Sequence, residues 1–296
     1  MQIANRNIVF NTHGRDNEPQ ITVKQGEEFV VETELCSGGW LNSLTDVYSQ
    51  DKRTGNNPCV CVAVEGAAPG SMLAVTILDI VPDKLGYTGF LGSRHALANR
   101  IRHFDWGDTY KTVEITDGFV IWDDKLRLPI SPMIGVLGTA PAEEVILNSK
   151  GGAHGGNMDV QEVCTGNTIY LPVEVDAALL HIGDAHAIQG DGELNGAGGI
   201  ECRATVRLKA EVLERPEDFR CVRIENEEYI MTVGCQRSIE ESFHLATDQL
   251  IRWMEQDYGF SAADAFLLMG QVLEARVTQF VNPTFSYICK MPKKYL

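Results

Sequence analysis

The residues that can do chemistry concentrate in two glycine-framed segments near the middle of the chain. Residues 151–159 read Gly-Gly-Ala-His-Gly-Gly-Asn-Met-Asp, and residues 181–193 read His-Ile-Gly-Asp-Ala-His-Ala-Ile-Gln-Gly-Asp-Gly-Glu. Zinc accepts imidazole nitrogen and carboxylate oxygen as ligands, and a catalytic zinc keeps one position open for water. The two segments together therefore predict a metal site that serves hydrolysis.

Individual residues in these segments suggest individual roles. Asp184 and His186 form a D-x-H pair, and such residues project to the same side of an extended backbone, so they can bind one ion together. His154 and Asp159 are further candidate metal ligands. Glu193 is the candidate general base, because a carboxylate can take a proton from water and pass it to a leaving group. Zinc is the first candidate ion, but the excess of carboxylates also suits calcium or another hard divalent cation.

The same residues can also be explained by purely structural roles. Short acidic turns with histidines also occur in loops that bind nothing, and glycines also serve tight β-turns. His181 ends an apolar run and is expected to be a core or supporting histidine. Ser131 lacks the glycine-framed elbow of serine hydrolases. The 8 cysteines include no C-x-x-C pair, so reduced, buried thiols are expected.

The surrounding elements must bring the two segments together. Residues 168–180 read as one apolar strand between them, which would place both segments at related loop ends facing one cleft. Runs rich in Val, Ile and Thr recur between Gly, Pro, Asn and Asp residues, and these are residues 20–33, 59–66, 72–80, 112–122, 168–175 and 201–213. We predict a mainly β fold with α+β elements, which consists of sandwich-like antiparallel sheets and a C-terminal helical pair.

The helical pair follows the β-rich part of the sequence. Residues 238–258 have helical spacing, with Ser238 as the capping residue ahead of an acidic first turn. A second helix is predicted from Ser261 to about residue 278. We predict a β-rich core over residues 1–235 that contains both metal-site segments. Residues 236–296 would form helices and a closing strand that pack on this core, although the helices can also form an oligomer contact.

Composition and charge narrow the range of partners. The 296 residues are 44% hydrophobic and 22% charged, which is typical of a globular protein. A formal charge of -16 opposes binding to nucleic acid and to anionic membranes, whereas it is compatible with a neutral or cationic small molecule. The first residues lack the apolar segment of a signal peptide, and no run approaches the roughly 20 apolar residues of a membrane span. We expect a cytoplasmic protein that acts on a small molecule.

The same segments resemble the acetamidase/formamidase family. Residues 154–159 match the HGGNMD signature of that family, and residues 183–193 match its GDxHAxQGDGE run. Residues 64–80 resemble its first strand pair, and Val281-Asn-Pro resembles one of its closing segments. The resemblance implies a β-rich fold and the hydrolysis of a short-chain aliphatic amide, such as formamide or acetamide, to ammonia and a carboxylate. It also implies a divalent metal and a homo-oligomer.

The resemblance further implies roles for the motif residues. The metal would lie at the retained residues, which are His154, Asn157, Asp159, Asp184, His186 and Glu193. Asn157, or backbone N–H groups of the glycine loops, would hydrogen-bond the oxyanion that develops on the amide oxygen. Glu193 would carry the proton to the leaving ammonia.

The chain departs from the family pattern in the strand before residue 66. Cys59-Val60-Cys61 replaces the usual Thr-Gly-Pro, and Ser71 replaces the final Asp of the strand-pair motif. These departures concern the substrate more than the reaction. Two alternatives therefore stay open: a non-catalytic, metal-stabilised β-sandwich binding module, and a hydrolase of another linear or cyclic C–N bond.

Overall fold

The computed structural model describes residues 1–90, 96 and 107–296. Within these ranges the chain forms twenty strands, which are β1 Gln2–Ala4, β2 Thr12–His13, β3 Ile21–Val23, β4 Glu28–Glu32, β5 Cys59–Val64, β6 Ser71–Phe90, β7 Thr109–Thr116, β8 Phe119–Ile121, β9 Arg127–Pro129, β10 Met133–Thr139, β11 Ile146–Leu147, β12 Gly151–Gly152, β13 Gly155–Asn157, β14 Thr168–Pro172, β15 Leu180–His186, β16 Ala197–Glu214, β17 Val222–Glu225, β18 Tyr229–Gln236, β19 Glu274–Gln279 and β20 Phe285–Pro292. The α-helices in the same ranges are α1 Ile239–Tyr258 and α2 Ala262–Val272. The predicted fold class, mainly β with a C-terminal helical pair, is confirmed, and each run predicted to be β-structure lies in or contains a strand.

One large, curled, mainly antiparallel sheet organises the molecule. In the part of the chain that the structure describes, 18 strands belong to this sheet, while β2 and β11 pair separately. The long strands β6 and β16 run antiparallel along most of their lengths, with register shifts that bend them. Strand β6 also pairs with β7 and β14, and β15 pairs with β5, β10 and β16, so the sheet folds back over its own apolar face.

The main core lies between the inward faces of these strands. Its members come from distant parts of the chain and include Val62, Leu73, Ile134, Leu171 and Leu208, all with no exposed surface. Burial of such side chains contributes about 1.5–3 kcal/mol each relative to leaving them exposed. The packed core therefore holds rigid strand ends from which polar side chains can be presented with little freedom.

The apolar run between the two glycine-framed segments is not one strand. Strand β14 pairs with β6 and β17, whereas β15 pairs with β5 and β10. Between β14 and β15, Ala177, Ala178 and Leu179 adopt positive φ angles of 61°, 58° and 49°. The prediction of a single strand over residues 168–180 was wrong because this left-handed backbone reverses the chain. As a result, the second segment begins inside strand β15 rather than in a loop.

Helix α1 begins as the sequence predicts. The Ser238 side chain accepts a hydrogen bond from the backbone N–H of Glu241, which satisfies one of the free donors of the first turn. The buried residues Ala246, Leu250 and Trp253 face an apolar cluster that includes residues of β18 and β20. Helix α1 therefore packs on the part of the sheet formed by β18 and β20.

Helix α2 is shorter than predicted. It ends at Val272, and residues 274–278, which the sequence assigned to the helix, lie in β19 and pair with β20. The β-branched Val277 and Thr278 suit a strand, and β20 offers a row of backbone partners, so sheet pairing outweighs the helical pattern. Phe266 and Leu267 on α2 are 62% and 67% exposed. The predicted boundary between residues 235 and 236 falls at the end of β18, which pairs with β20 along its whole length.

Among the described residues, no helix could span a membrane. Neither α1 nor α2 is long and apolar enough to cross a bilayer.

Candidate functional site

Four of the residues predicted from sequence meet at one point. Carboxylate and imidazole atoms of Asp159, His186 and Glu193 all lie within 4.8 Å of one another. Asp184 Oδ1 lies 3.5 Å from His186 Nε2. All four side chains are at most 5% exposed. The two glycine-framed segments thus contribute to one buried cluster.

Strand β10 brings the two segments together. Its Val136 pairs with Asn157 of β13 on one side and with Gly183 of β15 on the other. The residue before Val136 is Gly135, and a Cβ atom there would lie 2.4 Å from Asp159 Oδ1 and 2.8 Å from Asp184 Oδ2. A glycine is required because the two carboxylates occupy the space of a side chain.

Sequence reasoning missed Glu201, the fourth carboxylate of the cluster. Glu201 is on β16, directly opposite His186 of β15, and its Oε2 atom lies 3.2 Å from His186 Nε2. Glu201 also approaches Asp184 and the thiol of Cys36, with one atom of each within 4.8 Å of the others. Glu201 is the first residue of the run 201–213 that the sequence predicts to be β-structure, and alternation alone cannot show that this carboxylate is buried.

Two asparagines position carboxylates of the cluster. Asn57 donates a hydrogen bond of 2.9 Å to Asp184 Oδ2, and Asn282 donates one of 2.5 Å to Asp159 Oδ2. Neither was singled out from the sequence. The only signal in the sequence was position: Asn57 lies two residues before the Cys59-Val60-Cys61 departure, and Asn282 lies in the closing Val-Asn-Pro segment.

The orientation of His186 is set by Gln189. The Gln189 amide nitrogen donates to the backbone oxygens of Asp159 and Thr278, at 2.9 and 3.3 Å. Its side-chain oxygen therefore faces His186 Nδ1, 2.7 Å away, and can only accept a hydrogen bond from the N–H at that position. In the neutral imidazole, the Nε2 lone pair consequently points at the carboxylates, which is the arrangement of a metal-ligating histidine.

Five atoms of this cluster are buried without a hydrogen-bond partner in the described part of the chain. They are Asp159 Oδ1, Asp184 Oδ1, His186 Nε2, Glu193 Oε2 and Glu201 Oε2. Burying charged or polar atoms without partners costs several kcal/mol per ionised group. A divalent cation would satisfy carboxylate oxygens and an imidazole lone pair at once. The donor set therefore fits a divalent metal ion.

Burial and mutual repulsion shift the protonation of these groups. Burial raises the pKa of Asp159 to about 6, with a contribution from Asp184. Burial also raises the pKa of Asp184 to about 6, and Glu201 adds to the shift. Burial and the Asp159 carboxylate hold the pKa of Glu193 well above its ordinary value. Burial lowers the pKa of His186, but Glu201 and Asp184 outweigh it and keep that pKa well above 6.5.

The backbone of the site is held in a sparsely populated conformation. Asp159, Asp184 and Glu193 have φ angles of 47°, 58° and 39°. Left-handed backbone at a residue other than glycine costs about 1–3 kcal/mol, and such residues cluster at functional sites. The D-x-H pair is therefore not extended at its first residue, although Asp184 still lies beside His186.

The cluster lies at a cavity of about 70 Å³. The polar lining includes Asn57, Asn157, Asp184, Glu193 and Glu201. The remaining described lining residues are Cys36, Tyr48, Gln50, Arg53, Asn56, Tyr87, Phe90, Tyr110, Ser149, Gly196, Ala197, Val281 and Asn282. Cys59 and Cys61, the main departures from the family pattern, are fully buried and are not among the described residues that line it.

His154 lies apart from the carboxylate cluster. Its ring packs against His13 with centroids 4.9 Å apart, and His13 packs against His181 at 4.6 Å. His154 lines a second cavity, with Lys150 and Cys235. The assignment of His154 as a metal ligand stays a prediction from sequence. His181 is fully buried and bonds the Leu179 carbonyl, as expected of a supporting histidine.

Comparisons with known proteins agree with the sequence motifs. The model of the acetamidase/formamidase family matches residues 2–152 and 148–294. The chain is 27% identical over 255 residues to an acetamidase of Mycolicibacterium smegmatis, a match that covers 65% of this chain and 63% of the relative. The match thus spans less than two thirds of that relative.

Two solved structures share the whole fold. One is a predicted acetamidase/formamidase from Thermoanaerobacter tengcongensis, with a TM-score of 0.91 and 31% identity, which covers 100% of this chain and 96% of that one. The other is an acetamidase from Bacillus halodurans, with a TM-score of 0.91 and 31% identity, which covers 99% and 98%. With a family match over nearly the whole sequence, the chain belongs to the acetamidase/formamidase family.

Proposed function

We propose that the chain is a metal-dependent hydrolase that converts a short-chain aliphatic amide, similar to formamide or acetamide, to ammonia and a carboxylate. The supporting observation is the buried cluster of four carboxylates and one imidazole with unpaired atoms beside a small cavity. Curated relatives are named acetamidase and formamidase, which favours linear amides over other C–N bonds. Cytoplasmic location and homo-oligomer formation stay predictions.

The ion would be held by Asp159, Asp184, His186 and Glu201. When bound, it would supply positive charge that polarises the amide carbonyl and makes a neighbouring water more acidic. Zinc is the first candidate because an imidazole is present, and calcium is the second because the carboxylates predominate. Asn57, Asn282 and Gln189 hold these ligands in place through the hydrogen bonds described above.

Glu193 would act first as the general base and then as the general acid of the reaction. Its carboxylate takes a proton from the attacking water as the water oxygen bonds to the amide carbon. The same proton is then delivered to the nitrogen, so that the C–N bond breaks with release of neutral ammonia. A carboxyl group with a raised pKa suits both steps, because it holds the proton well enough to donate it near neutral pH. Asn157, which lines the cavity, would donate its side-chain N–H to the developing oxyanion.

An ammonia-release assay tests the proposed function. We expect the purified protein, loaded in turn with zinc, manganese, magnesium or calcium, to release ammonia and the matching carboxylate in equal amounts from formamide or acetamide. A lactam and a carbamate in the same panel would reveal preference for another C–N bond. Loss of thermal stability on chelation, with no ammonia released under any metal, would instead support a binding module.

Replacing Gly198 with alanine should impair turnover without unfolding the protein. A Cβ atom at this position would lie 1.8 Å from Glu193 Cγ, so the Glu193 side chain must move. Misplacement of a catalytic group by about 1 Å can reduce the rate about a hundredfold. We expect a loss of this order in kcat, with the circular dichroism spectrum unchanged.

The matched control for this variant is Gly270→Ala. Gly270 lies in α2, and an added Cβ there would meet nothing within 4 Å. We expect unchanged turnover and a slightly higher Tm, because alanine favours a helix over glycine by up to about 1 kcal/mol. Equal turnover in the two variants would contradict the proposed position of the base.

The metal-free protein should lose stability as the pH rises. The pKa values of Asp159 and Asp184 rise from 3.8 to about 6 on folding, so the folded state holds protons that the unfolded chain has released. This stabilisation is complete below pH 3.8 and is lost as the pH rises through about 6. A bound cation would offset the loss by balancing the ionised carboxylates.

Calorimetry of chelated and zinc-loaded protein tests the expected pH dependence. We expect the difference between their Tm values to widen from about pH 5 to about pH 7. The Asp159→Asn variant should show a smaller widening, because one of the titrating carboxylates is absent. A Tm difference independent of pH would contradict a cation at these carboxylates.

A further inference from the structure

Arg53 brings a positive charge to the cavity that holds the carboxylate cluster. It follows a single 3₁₀ turn, Gln50–Lys52, and is half-buried in the cavity wall. Its Nε atom donates to the Gly55 carbonyl at 2.8 Å, and its Nη2 atom donates to Asn56 Oδ1 at 2.6 Å. Both partners are neutral, so these bonds orient the guanidinium without balancing its charge.

No carboxylate pairs with Arg53 among residues 1–90, 96 and 107–296. Other half-buried arginines differ in this respect, since Arg203 pairs with Glu34 and Arg276 pairs with Glu162. The chain contains 41 acidic residues, so a shortage of anionic side chains does not explain the difference. The free edge of the guanidinium is instead available to a molecule inside the cavity.

The geometry of that edge suits a carboxylate. Nη1 of Arg53 donates no hydrogen bond to the described residues, and Nη2 uses only one of its two hydrogens. The two nitrogens therefore present parallel N–H donors, which is the fork that binds both oxygens of a carboxylate.

Aromatic rings line the same cavity. The Tyr48 ring packs on Tyr87 with centroids 5.6 Å apart and on Tyr110 at 4.6 Å, and Gln50 donates to the Tyr110 hydroxyl at 3.4 Å. These contacts hold the aromatic rings in a fixed position on one side of the cavity. A short carbon chain would lie against these rings, with one end at the carboxylate cluster and the other at Arg53.

We infer that the preferred substrate is a short amide whose acyl chain ends in a carboxylate, a monoamide of a dicarboxylic acid, and that Arg53 is the residue that selects it. This inference rests on the proposed amide hydrolysis and names the substrate class of the same site. The overall charge of -16 repels such a substrate at long range. However, physiological salt screens that field beyond about 8 Å, so direct contact with Arg53 inside the cavity decides the selection.

Succinamate and isocaproamide form a suitable substrate pair, because an isopropyl group in the second replaces the carboxylate of the first at similar volume. The metal-loaded wild-type protein should have the higher kcat/KM for succinamate. In Arg53→Met the ratio of the two kcat/KM values should fall about tenfold or more, the loss expected when a hydrogen bond to a charged group is removed. Arg53→Lys should retain part of the preference, since the charge remains but the fork is lost.

Arg207→Met is the matched control. Arg207 lies on β16, pairs with exposed Glu28 and is not among the described residues of the cavity wall, so the ratio should match that of the wild type. A ratio unchanged in Arg53→Met, or an equal loss on both substrates, would overturn the assigned role. Wild-type turnover of acetamide without turnover of succinamate would also overturn the inference, while the proposed function would stand.

Binding of succinate, measured by calorimetry on the metal-loaded protein, supplies a readout that does not depend on turnover. The affinity should fall about tenfold or more in Arg53→Met and remain unchanged in Arg207→Met. Equal succinate affinity in wild type and Arg53→Met would overturn the inference. Absence of ammonia release from every amide, with Arg53-dependent succinate binding intact, would instead contradict the proposed hydrolysis and leave the anion site supported.

Discussion

Replacing Glu193 with glutamine should reduce amide hydrolysis by about a hundredfold or more while the bound metal is retained. Glutamine preserves the shape of the side chain but cannot accept the proton of the attacking water. The Glu193 carboxylate is 5% exposed, its Oε2 atom has no hydrogen-bond partner among the described residues, and burial with the neighbouring Asp159 raises its pKa. Ammonia release and elemental analysis on the same preparation measure the two expected results.

Asp191→Asn is the matched control for this substitution. Asp191 lies two residues earlier in the same loop, but its side chain is 67% exposed and pairs with Arg276. Exposed ion pairs contribute about 0–1 kcal/mol, so turnover and metal content should stay close to those of the wild type.

The result for Glu193→Gln also shows whether Glu193 is a metal ligand or the general base, because its position permits both roles. One of its carboxylate oxygens lies within 4.8 Å of ligand atoms from Asp159 and His186, so it is close enough to bind the ion directly. Loss of metal together with activity in Glu193→Gln would assign Glu193 as a ligand. Retained metal with undiminished turnover would remove it from the base role.

Replacing His186 with glutamine should abolish both metal binding and amide turnover. His186 is the only imidazole in the described cluster, and Gln189 turns its Nε2 lone pair toward Asp184 and Glu201. Removing it leaves the ion with carboxylates alone, which weakens zinc binding in particular. We expect substoichiometric zinc after gel filtration and a rate reduced by about a thousandfold or more, because both polarisation of the carbonyl and activation of water are lost.

His154→Gln is the control that also tests the sequence-based ligand set. His154 packs against His13 instead of the carboxylates. Metal content and turnover should therefore remain near those of the wild type. Equal metal loss in the two variants would restore His154 to the ligand set and contradict the set proposed from the geometry. Dialysis of the wild-type protein against a chelator should reproduce the His186→Gln loss and, unlike it, be reversed by added zinc.

Much of the fold could be predicted from local patterns. Alternating Val, Ile and Thr runs marked strands because residues that face a core recur every second position. Ser238 and Ser261 marked the two helix starts because their side chains cap backbone N–H groups within the same turn. Errors arose where distant partners decide the outcome: β20 draws residues 274–279 into a strand, and a left-handed turn divides residues 168–180.

For the candidate site too, part could be predicted from the sequence and part was decided by the tertiary structure. By itself, the sequence determined the chemical character of the protein: acidic, β-rich, and carrying two segments whose carboxylates and imidazoles suit metal-assisted hydrolysis. Only the tertiary structure decided which of these side chains share a cavity. Pairing of β10 with both β13 and β15 places Asp159 beside Asp184, and pairing of β15 with β16 places Glu201 beside His186.

Those placements depend on strand register between residues far apart in the chain, and a shift of one residue would turn each side chain to the opposite face. Arg53 illustrates the same limit, because its lack of a direct ion pair among the described residues becomes meaningful only when the cavity beside it is known. Local propensity and motif spacing are encoded within a few residues, whereas register and burial are set by the packing of the whole sheet.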